Sequence, residues 1–221
     1  MELTVEEVRV LGCLIEKGAT TPDHYPLSTN ALVNACNQKS NREPVVDYSE
    51  QEAVAAMILV RQNGLGRTNG SGRSDKHRHI LHDAIGLDLD QQALLAVMML
   101  RGPQSAGELK TRTDRYTTCQ GTGFESPDDI EAVLTAMAEK ADPHVANIGR
   151  GSGQSQDRWA HLFGEMVPDV SNLGGPPAAT APATSVGPSL AQRVETLETR
   201  LAVLESALGM PANTPYPPEN D

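Results

Sequence analysis

Val10-Leu11-Gly12-Cys13-Leu14-Ile15-Glu16-Lys17-Gly18 and, roughly 80 residues later, Leu94-Leu95-Ala96-Val97-Met98-Met99-Leu100-Arg101-Gly102 each read as an apolar helix running into a glycine. A short polar run, a second helix, a third helix and a Gly-containing hairpin follow each of them. Three helices closed by a two-stranded hairpin describe a winged helix, a helix-turn-helix variant that contacts nucleic acid or another protein. The expected fold class is mostly α with small β-hairpins (α+β), arranged as two tandem winged-helix domains followed by a C-terminal coiled-coil helix.

Local signals set the element boundaries. Thr4-Val5-Glu6-Glu7 is a capping box for the first helix, with Leu3 placed to staple onto Val8 and Gly18 read as its stop. After the proline-marked run Thr20 to Pro26, a second helix opens at Ser28 and ends near Asn37. Ser49 and Glu52 cap a third helix, whose apolar positions Val54, Met57, Ile58 and Leu59 run to Asn63-Gly64. The first hairpin runs out along Leu65 to Thr68, turns at Asn69-Gly70-Ser71-Gly72 and returns from Lys76 to Leu81. In the second copy Asp90 reads as the first cap, Gly102-Pro103 as the stop and Ser105 with Glu108 as the next capping box. Ser126-Pro127 opens the last helix of that copy, with Ile130, Val133, Leu134 and Met137 on one face. A hairpin from His144 to Ile148 and Arg158 to Leu162 closes it.

The expected boundaries are winged-helix domains at residues 1–84 and 85–165, a flexible Pro/Ala/Gly/Ser linker at 166–188, a short coiled-coil helix at 189–209 and a disordered tail at 210–221. Leu190, Val194, Leu197, Leu201, Leu204 and Leu208 alternate spacings of four and three, the period of a coiled coil. With Val194 and Leu201 at position a, Arg193 and Arg200 fall at g and Glu198 and Glu205 at e. Those charges attract across a parallel pair, so a homodimer through this helix is the expectation. The alternative is an amphipathic helix that folds back onto its own domains.

Composition narrows the function. No apolar run reaches about 18 residues, and the first residues lack the basic, apolar and small-residue segments of a signal peptide. A cytoplasmic protein without membrane contact is expected. The cysteines Cys13, Cys36 and Cys119 are three, far apart and without a C-x-x-C spacing, which indicates neither a disulfide framework nor a zinc site. Cys13, among Leu11, Leu14 and Ile15, reads as a buried small hydrophobe. The 18 Lys/Arg against 29 Asp/Glu give a net charge of −11, so any nucleic-acid role must rest on local cationic patches.

Leu11-Gly12-Cys13-Leu14-Ile15-Glu16-Lys17, Thr20-Thr21-Pro22-Asp23, Tyr25 to Leu32 and the run Ala35-Cys36-Asn37-Gln38-Lys39-Ser40-Asn41-Arg42-Glu43-Pro44-Val45 resemble the bacterial YceH family. Arg101 to Leu109 is similar to the matching segment of that family's second repeat. The resemblance covers most of residues 3–163. It implies two tandem winged helices and a short C-terminal helix, and it brings no established activity. Lys76-His77-Arg78-His79 departs from the family's usual tyrosine after the lysine.

Two clusters are candidate nucleic-acid contacts. In the connection between the second and third helices, Lys39 and Arg42 could neutralise phosphates while Asn37, Gln38, Ser40 and Asn41 donate hydrogen bonds. The competing reading has these groups organise their own backbone, with Arg42 paired to a nearby carboxylate. The first hairpin carries Arg67, Arg73, Lys76 and Arg78 against Asp75 alone, a cationic wing suited to phosphates. His77 and His79 on one strand face lack a clear third ligand, so no metal is assigned. The third helices, with Glu50 and Glu52 in one and Asp128, Asp129, Glu131 and Glu139 in the other, argue against major-groove readout. Trp159 reads as packing the second hairpin onto its helices.

No catalytic motif is present: neither G-x-S-x-G, a Walker-type loop, H-E-x-x-H nor G-x-G-x-x-G after a strand. A non-enzymatic protein without catalytic residues or cofactor is expected. The leading reading is a regulator that binds duplex DNA through the first wing and the Lys39 to Arg42 turn. The alternative is a protein-interaction module resembling the acidic tandem winged-helix subunits of chromosome-organising complexes. A third reading is a regulator responding to a small molecule held between the winged domains, with no pocket marked in the sequence.

Overall fold

A computed structural model describes residues 2–71, 74–117, 123–151 and 154–164. Arg73, the linker and the 189–209 segment with Leu190, Val194, Leu197, Leu201, Leu204 and Leu208 lie outside the described residues. Helices α1 (Val5–Thr20) and α5 (Leu89–Arg101) carry the two apolar runs. Every residue from Glu7 to Glu16 of α1 and from Gln92 to Leu100 of α5 is buried, which is the condition of helices enclosed on all sides.

In the first half, α2 (Thr29–Cys36) and α3 (Glu50–Gln62) pack on α1 and on each other. Strands β2 (Gly66–Ser71) and β3 (Ser74–His79) form the hairpin, and β1 (Leu27–Ser28) pairs antiparallel on the other side of β3, giving the order β1-β3-β2. The short helix α4 (Leu81–Ile85) leads into α5. In the second half α6 (Ala106–Thr117) packs on α5 and α7 (Pro127–Ala138) on α6, with β4 (Val145–Gly149) and β5 (Arg158–His161) as the closing hairpin. The protein is α+β, with the helix and hairpin order of a winged helix in each half.

The halves meet through their first helices. α1 packs on α5 and α6 as well as on α2 and α3, and the buried apolar side chains form one cluster that includes Leu11 and Leu14 together with Leu95 and Leu134. A β-carbon at Gly12 would lie 3.0 Å from Leu100 Cγ and 3.1 Å from Met99 Cβ. The missing side chain is what lets α1 and α5 come this close.

Reciprocal capping boxes open α1 at Thr4 and Glu7 and α3 at Ser49 and Glu52, as the local sequence predicts, and a further one at Ser126 and Asp129 opens α7, where the sequence predicts the Ser126-Pro127 start alone. Ser105 and Glu108 exchange the same pair of bonds at α6. Other boundaries differ. α1 runs past Gly18, where a β-carbon would sit 3.3 Å from His79 Nε2 and 3.4 Å from Tyr25 Cζ. Gly18 therefore makes room for the sheet, and the helix stops where the Thr20 and Thr21 hydroxyls donate back to the Glu16 and Lys17 carbonyls.

α5 is capped by Asp88 with Gln91 as the reciprocal partner, so Asp90 lies in the first turn instead of at the cap. Asp88→Ala is expected to lower stability by about 1 kcal/mol in thermal denaturation, with a smaller loss for Asp90→Ala. The opposite ranking would return the cap to Asp90. At the first hairpin Asn69, Gly70 and Ser71 of the expected turn lie in β2, paired with Lys76, Asp75 and Ser74, so the strands run further out than the sequence reading has them, and the return strand ends at His79, two residues before Leu81, which opens α4.

Candidate nucleic-acid interface

Pairing register sorts the first hairpin into two chemically distinct faces. Arg67 lies opposite Arg78 and Asn69 opposite Lys76, while Thr68 lies opposite His77. Successive residues of a strand alternate sides, so Arg67, Asn69, Lys76 and Arg78 share one face. The other face turns inward.

The inward face is held by His77. Its ring is buried between two hydroxyls, with Thr29 Oγ1 3.0 Å from Nε2 and Thr68 Oγ1 3.0 Å from Nδ1. The first ties the hairpin to the start of α2 and the second ties β3 to β2. His79 donates its backbone N–H to Tyr25 Oη at 2.7 Å, and the two rings lie 5.9 Å apart. Burial lowers the pKa of His77, and it lowers that of His79 to about 4, with the positive charge of Arg78 adding to the shift. Both imidazoles are neutral near pH 7. The positive charge of the hairpin is therefore that of its arginines and lysine alone.

Arg67 is exposed and Lys76 and Arg78 are half-buried. Next to them, the end of α3 and β2 border an open groove lined by Ile58, Arg61, Gln62, Arg67 and Asn69. The sequence groups Ile58 and Leu59 with Val54 and Met57 as the apolar positions of this helix, but Ile58 and Leu59 are 44% and 40% exposed, and α3 buries Ala53, Ala56, Met57 and Val60. The small alanines let α3 sit close to its neighbours, which turns the larger side chains outward.

The connection between α2 and α3 is organised from within. Asn37 exchanges two bonds of 2.8 Å with the backbone of Tyr48, and Asn41 Oδ1 accepts from Arg101. Arg42 is buried, donating to the Ala35 carbonyl and to both carboxylate oxygens of Glu16. It is a structural cation with no surface to offer a phosphate, as the competing reading of this segment has it. Glu16 also accepts from Arg115 of α6 and lies 3.4 Å from Lys17. Burial alone would raise the Glu16 pKa, but the hydrogen bond and charge of Arg42 outweigh it and hold the group below the usual carboxylate range. Lys39 is exposed on the same connection.

Ion pairing divides the cations by location. In the second half Lys110 pairs with Asp114, Arg112 and Arg158 with Glu108, and Arg150 with Asp157. Among the described residues Lys39, Arg61, Arg67, Lys76 and Arg78 make no ion pair, and neither do Lys140, just past the end of α7, or Arg9 and Arg101, which donate to neutral acceptors instead. Sequence reading singles out Arg67, Lys76, Arg78 and Lys39 from this group and misses Arg61, whose alignment with the hairpin depends on the packing of α3. Trp159 is buried and donates its indole N–H to Glu131 of α7 at 2.9 Å, so it anchors the second hairpin. No group of three or more His, Cys, Asp or Glu side chains suited to a metal occurs among the described residues. No helix among them is long and apolar enough to cross a membrane.

The family described as "Protein of unknown function, DUF480" matches residues 3–154. A "UPF0502 protein" of Solibacter usitatus (strain Ellin6076) is 40% identical over 207 residues, covering 93% of this chain and 94% of the relative. Another from Geotalea uraniireducens (strain Rf4) is 44% identical over 164 residues, covering 74% and 73%. "UPF0502 protein VPA1223" of Vibrio parahaemolyticus is 40% identical over 216 residues, covering 94% of both.

Proposed function

Since the chain belongs to the DUF480 family of proteins of unknown function, which hands down no activity, we propose from the geometry that it binds duplex nucleic acid through the cationic face of the β2–β3 hairpin. The observation that carries this reading is the contrast in ion pairing. A chain of net charge −11 keeps the cations of its second hairpin and of α6 matched to carboxylates, yet leaves Arg61, Arg67, Lys76 and Arg78 unmatched around one hairpin. Cations that have no carboxylate partner and share one face of a hairpin are the groups that displace condensed counterions from a polyanion.

His77 supports the same reading, because its two hydroxyl partners fix the hairpin on α2 and limit the ordering needed on binding. Lys39 extends the cationic surface, whereas Arg42 leaves the set. We place the leucine-patterned 189–209 segment in the same scheme, as a parallel pairing element that would give each particle two hairpins. The reading is tested by fluorescence anisotropy with mixed-sequence duplex fragments over a range of ionic strength. The affinity is expected to fall log-linearly with salt, and the triple change Arg67→Ala, Lys76→Ala, Arg78→Ala to reduce the slope by about 0.9 for each phosphate that is no longer neutralised. A slope unchanged by the triple variant rules out the hairpin as the binding surface.

One observation favours a second reading. Ile58 lines the same groove, and it and its chain neighbour Leu59 are both exposed and apolar, a composition suited to a protein partner. Absence of duplex binding even at low salt would move the assignment to that partner-binding role.

A further inference from the structure

We propose that the cleft between α1, Tyr25, His79 of β3 and the start of α5 binds a small uncharged carboxamide. It lies where the first half meets the first helix of the second, and none of the side chains assigned to nucleic acid lines it. Ile15, Ala19 and Ala93 give it apolar walls, and Leu89, 44% exposed, lines it as well. Its volume is about 120 Å³, against about 150 Å³ for a cavity that holds a benzene ring. A ligand of about six heavy atoms fits with little to spare.

Three polar side chains line this cleft with unused hydrogen-bonding capacity. Gln92 is 4% exposed; its Nε2 donates to the Leu87 carbonyl at 2.7 Å, and its Oε1 has no partner among the described residues. His79 has its Nδ1 buried without a partner. Placing the one proton of the neutral ring on Nδ1 would bury an N–H with no acceptor, so the proton sits on Nε2. That atom lies against Gly18, whose β-carbon position is 3.3 Å away, and it too has no partner among the described residues. Tyr25 Oη accepts the His79 backbone N–H, and its own proton has no acceptor among the described residues. Burial pushes the Tyr25 phenol well above its ordinary pKa, so that proton is retained near pH 7.

Two donors and one acceptor beside apolar walls define the ligand's chemistry. A carboxamide oxygen has two lone pairs, one each for His79 Nε2 and Tyr25 Oη, and its NH₂ group donates to Gln92 Oε1. No charged side chain is among those that line the cleft, so a charged ligand would give up hydration without meeting a counter-charge. A carboxylate would also set an oxygen against Gln92 Oε1. An ammonium would set its protons against the two donors.

The test follows the His79 ring nitrogens by NMR in full-length protein carrying ¹⁵N-labelled histidine, recognised by through-space contact with the Tyr25 ring. The free protein is expected to show a protonated Nε2 and a bare Nδ1. Three probes of similar size are then compared: 2-methylpropanamide, 3-methylbutan-2-one, which keeps the carbonyl without the N–H, and 2-methylpropanoate, which replaces the N–H by a charge. The amide is expected to shift the Nε2 resonance saturably at millimolar concentration. It should bind about tenfold more tightly than the ketone, as one hydrogen bond to a buried acceptor predicts, with the carboxylate weaker still. Gln92→Met should bring amide and ketone to equal affinity. The opposite tautomer, a His79 resonance unmoved by the amide, or a ketone or carboxylate that binds as tightly overturns the proposal. Those comparisons are made on the unaltered protein, so they decide the matter even if the variant fails to fold.

Discussion

Glu16→Ala is expected to lower the free energy of unfolding by about 3–5 kcal/mol, the range for removing one partner of a buried ion pair. The Glu16 side chain is 1% exposed and that of Arg42 is fully buried. Truncating the carboxylate leaves the Arg42 guanidinium without its counter-charge in a site water cannot reach, and also releases Arg115 from α6. Arg42→Met should cost less, because Glu16 keeps Arg115 and Lys17. Urea titration of the two single variants and the double variant would measure the coupling, and additive losses would show that the pair does not act as a unit.

The same residue makes an acid-range prediction. Because the folded pKa of Glu16 lies below its ordinary value of 4.5, its contribution is fully present above that value and is lost as the pH falls through the folded pKa. Other carboxylates titrate in the same range, so the informative quantity is the difference between the unaltered protein and Glu16→Gln. That difference is expected to shrink on acidification. A difference independent of pH would mean that Glu16 is not held ionised.

Gly12→Leu is the second large effect, expected to lower stability by about 3 kcal/mol through overpacking. A bare β-carbon already meets Leu100 and Met99 at about 3 Å, so a whole side chain must push α1 off α5. The readout matters as much as the size. Trp159, the only tryptophan, is buried in the second half, whereas Gly12 belongs to the first. A continuous core predicts that the Trp159 fluorescence transition moves to lower urea together with the far-ultraviolet circular dichroism. Fluorescence that stays in place while dichroism moves would show that the halves unfold independently.

Features encoded by neighbours in sequence are the ones legible from it. Thr4 with Glu7, Ser49 with Glu52 and Ser105 with Glu108 announce themselves within three residues, and the duplicated plan follows from such local signals. Asp88 and Asp90 show the limit: both are plausible caps, and the choice falls to the one whose third neighbour is a glutamine able to reach back. The two-residue strand β1 is too short to show a period of two. Ile58 and Leu59 are unreadable for a different reason, since α3 carries apolar residues on more than one side and alanines take the inner positions. At the candidate site, Arg42 and Lys39 look alike in sequence. What separates them is Glu16, 26 residues from Arg42, and only the folded chain brings it there.

The two residues of β1 bear on how the protein avoids its own kind. By pairing with β3 they cover one side of it and make a sheet whose outer strands are the two-residue β1 and the six-residue β2, so β2 is the longer edge among the described residues. An unpaired strand edge is a template on which another copy can add a strand, and many proteins discourage this with charge. Here the edge strand carries exposed Arg67, with Lys76 and Arg78 on the same face. A second sheet approaching edge-on would set arginine against arginine. The positive charge proposed to meet a polyanion would thus also set the strand against pairing with its twin.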